Sequence, residues 1–361
     1  MNRLFRHITR IAMSGIILTV AGCAYDETVR DLREQGTESA GLAISFSNGI
    51  IENPIKRTRA VTLLSDHTES MGVWGWQTTS QGETERLFLN QNVTFSIPEA
   101  KWTYNPVKYW EKSSTYRFCA YAPHSGTSPD VTVTIDSATH AISFNGVTLR
   151  GSNTIDSGVP APPARFGHVA DIDWMLDRTG QSMAGINHTE VTFNMQHILS
   201  KICVRVRRST SFLPDSIMSI SIDSLKIGSF ISQGNFTQAM DDTPAALAAE
   251  WTPVDTLPRY TMTSAKYVSI PDSAVYILES LLIPQQVSAG QYIRVWYNIG
   301  NTGGFINRFD NIFSLNELFG SFETGKSYLI TVTIGPDPIR FDAGVQDWSS
   351  YGETSKTINN E

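Results

Sequence analysis

Three cysteines, seven histidines and a short run of aspartates are the side chains whose chemistry comes forward first in this sequence. Cys23 stands at the end of an apolar run, in Leu18-Thr19-Val20-Ala21-Gly22-Cys23-Ala24-Tyr25-Asp26-Glu27, where its thiol is a candidate for acylation. Cys119 and Cys203 lie far downstream. A disulfide between them and two unpaired thiols on neighbouring strands both fit, because sequence spacing does not set spatial separation. Asp171, Asp173 and Asp177 read either as oxygen ligands for calcium or as solvated loop carboxylates. His7 precedes Cys23. The other histidines (His67, His124, His140, His168, His188 and His197) stand at no metal-ligand spacing from one another or from a cysteine pair. The sequence has no Gly-x-Ser-x-Gly elbow and no phosphate-cradling glycine loop ending in Lys-Ser/Thr. Nothing singles out a carboxylate pair for glycoside hydrolysis. The inventory predicts no enzyme, no cofactor and no metal site, and it leaves Cys23 as the residue with a defined chemical role.

The elements around Cys23 give that role a setting. Arg3, Arg6 and Arg10 come first, with no acidic residue among them, and the apolar run Ile11–Val20 is too short to span a bilayer as a helix. Charged head, apolar middle and small residues Ala21 and Gly22 are the layout of a secretory signal peptide over residues 1–22. Val-Ala-Gly-Cys resembles the lipobox of bacterial lipoproteins, whose cysteine is lipidated and becomes the mature N-terminus. Ordinary secretion, with a cysteine there by chance, is the plainer reading. Each buried methylene contributes about 0.8 kcal/mol, so more than one acyl chain anchors stably where one is marginal. Asp26 and Glu27 resemble the acidic export signal of surface lipoproteins in Bacteroidetes-type bacteria, which implies the outer face of the outer membrane. Removing residues 1–22 takes away three positive charges, so the net charge of −7 becomes −10 (−7 − 3). An acidic chain with scattered basic residues lacks the concentrated positive field that nucleic acid requires.

Beyond the tether at residues 23–41, the dominant pattern is period-two alternation. Tyr328, Ile330, Val332 and Ile334 alternate with Leu329, Thr331 and Thr333; Val131, Val133 and Ile135 alternate with threonines; Ile202, Val204 and Val206 alternate with Cys203, Arg205 and Arg207; and Ile293, Val295, Tyr297 and Ile299 repeat the pattern. Gly, Pro, Asn and Asp punctuate these runs. Two short helices are expected, over Thr243–Trp251 with Pro244 at its first position, and over Asn194–Lys201. Gly151–Pro163 reads as a long loop. The fold class is all-β, two tandem β-sandwiches over residues 42–209 and 210–361. Trp74, Trp76, Trp102, Tyr104, Tyr109 and Trp110 are either packing between sheets or a platform for stacking sugar rings.

A set of motifs falls in one order along the chain: Ile44-Ser45-Phe46, Thr58-Arg59-Ala60, Trp102–Trp110 (WTYNPVKYW), Tyr116–Pro123 (YRFCAYAP), Asp173-Trp174-Met175, Val191–Lys201 (VTFNMQHILSK), Ile283-Pro284-Gln285-Gln286, Gly325-Lys326-Ser327-Tyr328, Ile339-Arg340-Phe341 and Val345-Gln346-Asp347-Trp348. Behind a lipobox, this set resembles the fimbrillin-like family of Bacteroidetes, which includes fimbrial shaft, tip and anchor proteins. The resemblance covers roughly residues 42–349. It implies an outer-membrane lipoprotein of two transthyretin-like sandwiches whose partners are other fimbrial subunits. In the family's shaft proteins a trypsin-like protease cuts after an arginine and removes the first strand, and a strand from another subunit fills the groove. The matching position here is Arg59, before Ala60, with Arg57 as the second choice; cutting there releases the lipid and the strand around Ala43–Phe46. The plain reading of Arg59 is an ordinary residue at a strand edge. Ser349–Glu361, after Trp348, is polar and short of alternating apolar positions; this departure from the family's shaft pattern favours tip, anchor or accessory subunits over the main shaft, or else a donor strand that includes Ile339–Trp348. A surface glycan-binding lipoprotein, with a host or bacterial receptor as partner, is the alternative function.

Overall fold

The structure is a computed structural model that describes residues 42–48, 70–96, 98–125, 130–136, 140–149, 153–155, 166–168, 171–177, 181–188, 190–211, 217–239, 249–264, 267–271, 273–301, 303–336, 338–348 and 355–358. Among these residues every regular element is a strand or a single 3-10 turn, and no α-helix occurs. The chain divides into Met1–Leu42 and Ala43–Glu361, and all the described strands belong to the second unit.

A seven-stranded sheet organises the first half. Its order is β13 (Met195–His197), β10 (Met175–Asp177), β5 (Thr115–Ala122), β2 (Ser70–Thr78), β3 (Thr84–Ser96) and β4 (Lys101–Thr103), with β11 (Gln181–Ala184) also on β5. A parallel pair, β1 (Phe46–Asn48) with β12 (Val191–Phe193), forms a separate small sheet. A four-stranded sheet runs β17 (Ala249–Pro253), β16 (Gln233–Gln238), β7 (Ile142–Thr148) and β6 (Thr132–Ile135), and β8 (Asn153–Ile155) pairs with β9 (Phe166–His168). In the second half, one sheet runs β20 (Val275–Leu282), β14 (Ser200–Arg208), β25 (Lys326–Ile334), β26 (Arg340–Asp347) and β27 (Ser355–Ile358). Another runs β18 (Tyr260–Thr263), β15 (Ile217–Phe230), β22 (Tyr292–Asn301) and β23 (Ile306–Ser314), with β19 (Val268–Ser269) also on β15. The short pair β21 (Gln285–Gln286) and β24 (Ser321–Phe322) completes the set.

Successive side chains on a strand point to opposite faces, and the central strands of the seven-stranded sheet bury both. On β5, Tyr116, Phe118, Ala120 and Ala122 enter one core, while Cys119 and Tyr121 enter another. On β2, Met71 and Val73 go to the first core, and Trp74 and Trp76 to the second. The second core continues through Phe144 of β7 and Phe236 of β16, whose rings lie edge to face with centroids 5.9 Å apart. It extends into the second half, where Phe313 stacks on Phe341 at 4.9 Å. Gly72 makes this arrangement fit: a Cβ there would lie 2.0 Å from Cε1 of Tyr121.

The alternation on β14, β22 and β25 matches the expected strands, with Ile202, Val204, Ile293, Val295, Ile330 and Val332 fully buried. The two expected helices are corrected. Asn194–Lys201 contains β13 and the start of β14, and Met175 of β10 sits opposite His197 in an antiparallel register. Met195 and His197 are buried while Gln196 is exposed, so the residues follow a period of two. Ladder bonds to a neighbouring strand outweigh a weak local helical propensity. From Ala249 onward the second expected helix is β17, with Trp251 opposite Phe236; residues 243–248 lie outside the described residues.

Strands on the two sides of the expected boundary near residue 210 interleave. β14 precedes it, yet pairs antiparallel with β20 and parallel with β25. β16 follows it, yet pairs with β7.

Candidate functional site

The N-terminal strand sits in a seat built by segments far from it in sequence. Side chains alternate along it: Ile44 and Phe46 are buried at 2% exposure, and Ser45 between them is exposed. Its backbone is held on both edges. The Ile44 N–H donates to the Lys108 carbonyl at 2.9 Å, next to a bridge between Ala43 and Tyr109. On the opposite edge the Val191 N–H donates to the Ser45 carbonyl at 2.9 Å, and Phe46, Ser47 and Asn48 run parallel to Val191, Thr192 and Phe193. The Ser47 and Thr192 hydroxyls lie 3.0 Å apart.

Phe46 is the centre of the seat. Its ring meets Tyr104 at 5.3 Å, Phe88 at 5.4 Å, Phe193 at 5.7 Å and Phe118 at 5.9 Å. Tyr104 closes one end, its hydroxyl donating to the Ile44 carbonyl at 2.8 Å. Burial pushes that phenol above its ordinary value, with the hydrogen bond to Lys108 opposing the shift, so it remains a neutral donor. Full burial of a phenylalanine side chain is worth about 1.5–3 kcal/mol, and each well-placed aromatic pair adds about 0.5–1.5 kcal/mol. Two buried side chains and a few backbone bonds therefore fill a site that would otherwise present open ladder groups and an apolar groove.

Cys23, Arg57, Arg59 and Ala60 lie outside the described residues. The sequence motifs marked Ile44-Ser45-Phe46 and Tyr104 without revealing that they touch, and Val191, Thr192 and Phe193 gave no sign of being the strand's parallel partner. At the other end of the chain β27 is an edge strand on β26, with Ile358 opposite Phe341 and Ser355 opposite Gly344.

The remaining candidates resolve differently. Trp74, Trp76, Trp102 and Trp110 are buried, and of the six aromatics only Tyr109 is exposed, so these tryptophans pack the cores and form no sugar platform. Cys119 on β5 and Cys203 on β14 are buried free thiols in different sheets, which corrects both the disulfide and the neighbouring-strand readings. Burial raises both thiols, Cys203 to about 12 with Glu279 adding to the shift. Asp173 and Asp177 are buried, not solvated loop carboxylates. Asp173 Oδ2 lies 2.7 Å from His197 Nδ1, and Asp177 sits on β10. Among the described residues no three His, Cys, Asp or Glu side chains gather as a metal site.

A model of the fimbrillin-like family matches residues 58–348 of this chain. The crystal structure of a fimbrial protein from Bacteroides vulgatus is similar with a TM-score of 0.56 at 16% identity, over 85% of this chain and 99% of that one. At that identity the likeness is one of fold. The tip fimbrial protein Mfa3 from Porphyromonas gingivalis, with a C-terminal truncation, aligns over 80% of this chain and 97% of its own at 10% identity, with a TM-score of 0.32. No curated protein matches the sequence.

Proposed function

This chain belongs to the fimbrillin-like family, and we propose that it is a structural and adhesive subunit of a cell-surface fimbrium, assembled by donor-strand exchange. Within the fimbrium the reading favours a tip, anchor or accessory subunit over the main shaft. Acylated Cys23 holds the exported chain to the outer membrane, and its partners there are other fimbrial subunits. The division into two transthyretin-like sandwiches near residue 210 belongs to the same proposal.

One observation carries this reading: the strand ahead of Arg59 is a short plug whose apolar side chains, Ile44 and Phe46, fill an aromatic seat. Cleavage after Arg59 separates that plug covalently from the body of the chain. Its loss leaves the Lys108 carbonyl and the Val191 N–H without the bonds they make to Ile44 and Ser45. An extended segment from another subunit restores both the bonds and the alternating side chains. Groove and donor are different surfaces, so the contact is head-to-tail and propagates.

The test is to treat the purified full-length chain with an arginine-specific protease and follow its mass and oligomeric state. Expected are a new N-terminus at Ala60 and heat-sensitive oligomers that an added peptide of residues 42–48 suppresses. A trimmed chain that stays monomeric, with or without peptide, overturns the strand-exchange reading.

A further inference from the structure

The strand β23 carries a second surface, unrelated to the seat of β1. It is nine residues long, ends its sheet, and pairs on one side with β22 in an unbroken register from Tyr292↔Ser314 to Gly300↔Ile306. No described strand covers its other edge. Two of the usual protections of an edge, a bulge and a proline, are missing from it. Instead it exposes apolar residues: Ile306 at 64%, Ile312 at 62% and Phe309 at 39%.

The direction of its backbone groups follows from one bond. The Asn301 N–H donates to the Phe305 carbonyl at 3.0 Å. In an antiparallel ladder the N–H and C=O of one residue point to the same side, and the side alternates. Asn307, Phe309 and Asn311 therefore face β22. Ile306, Arg308, Asp310 and Ile312 direct their N–H and C=O groups to the free edge.

We propose that this edge pairs with the same edge of a second copy of the chain, antiparallel and centred on Phe309, so that the sheet continues across a twofold axis. Only registers that set an outward-facing residue opposite an outward-facing residue form ladder bonds. Centring on Arg308 places two arginines opposite each other, and centring on Asp310 places two aspartates, both repulsive. Centring on Phe309 sets Arg308 opposite Asp310 of the second copy, and Ile306 opposite Ile312, each twice by symmetry. Centring on Asn311 gives an overlap of the same length, but sets Arg308 opposite Ser314 and Asp310 opposite Ile312, with no charge pair. Centres beyond Arg308 and Asn311 shorten the overlap. Arg308 has no ion-pair partner among the described residues. Asp310 accepts both N–H groups of Arg294 in its own chain at 2.8 and 2.6 Å, and a carboxylate retains lone pairs for a further donor. The contact is isologous and closes as a dimer.

The experiment uses the full chain carrying Cys23→Ser, so that the remaining native thiols are the buried Cys119 and Cys203. Phe309→Cys places two cysteines on the twofold axis in a non-hydrogen-bonded pair, about 4.5 Å apart at Cα, within disulfide range. Mild oxidation is expected to yield a covalent dimer from Phe309→Cys and none from Asn307→Cys, which faces Asn311 of the other copy. In sedimentation, Arg308→Asp is expected to weaken dimerisation at least tenfold with an unchanged melting temperature. Equal cross-linking of the two cysteine variants, no cross-link from Phe309→Cys, or unchanged dimerisation of Arg308→Asp overturns the proposal.

Discussion

Phe46 stacks on Phe193 with ring centroids 5.7 Å apart and planes 21° apart, although 147 residues (193 − 46) separate them in the chain. Their backbones run parallel in the β1–β12 pair, so this contact ties the N-terminal strand to a segment far along the chain.

Phe46→Ala removes the ring at the centre of four aromatic contacts. The expected loss is about 3–5 kcal/mol in the uncut chain, read from urea or thermal unfolding. Ser45→Ala, at an exposed position on the same strand, is expected to change stability by less than about 0.5 kcal/mol. Equal effects from the two would show that β1 is not seated by its alternating side chains.

Gly72→Ala tests the close approach on which the two-faced sheet depends. The added Cβ would meet the ring of Tyr121, whose hydroxyl is fixed by Asn90 at 2.9 Å and Ser125 at 2.8 Å. The ring therefore has little freedom to give way, and a destabilisation of about 1–3 kcal/mol is expected. Gly82→Ala, with open space around it but a positive φ of 83°, separates backbone strain from this steric clash.

Trp348 lies flat on His197, with centroids 3.8 Å apart, and Lys201 Nζ is 5.4 Å from its ring centroid. Trp348→Ala uncovers the His197–Asp173 pair and is expected to cost about 1–2 kcal/mol, while Trp348→Phe retains most of the stack. A melting-temperature series over the two variants reads the difference; an Ala variant as stable as the parent would remove the stack from the account.

The buried thiols make stability sensitive to alkali. Cys203 moves from an ordinary 9.0 to about 12 in the folded chain, chiefly because burial disfavours the thiolate. The raised value means that its contribution is fully present below about pH 9 and is lost as pH rises toward 12, because the unfolded chain ionises first. The slope is about 1.4 kcal/mol per pH unit while that single group titrates. Cys203→Ala is expected to flatten part of the alkaline decline in unfolding free energy. In the native chain at pH 7.5, thiol reagents are expected to leave Cys119 and Cys203 unlabelled until denaturant is added.

Much of the architecture was legible before any coordinates. Alternation of apolar and polar residues marked β14, β22 and β25, because a pleated strand turns every second side chain the same way. Ordered motifs marked Ile44-Ser45-Phe46, Tyr104 and Val191–Phe193 as landmarks, and the arginine-rich head, apolar run and Val-Ala-Gly-Cys marked Cys23. These are local signals: each depends on neighbours in the chain.

Pairing was decided only in three dimensions. Alternation gives two faces to β5 but does not reveal that both are buried, one against Phe46 and Phe193, the other against Phe144. The parallel partners of β1 and β14 come from segments more than a hundred residues away, and β16 returns across the expected boundary to β7. The short helix expected at Asn194–Lys201 became strand for the same reason, since ladder bonds to β10 outweigh a weak local preference. Which strand lies beside which is settled by the total area and hydrogen bonding of the assembled sheets, and those sums are taken over residues that only the folded chain brings together.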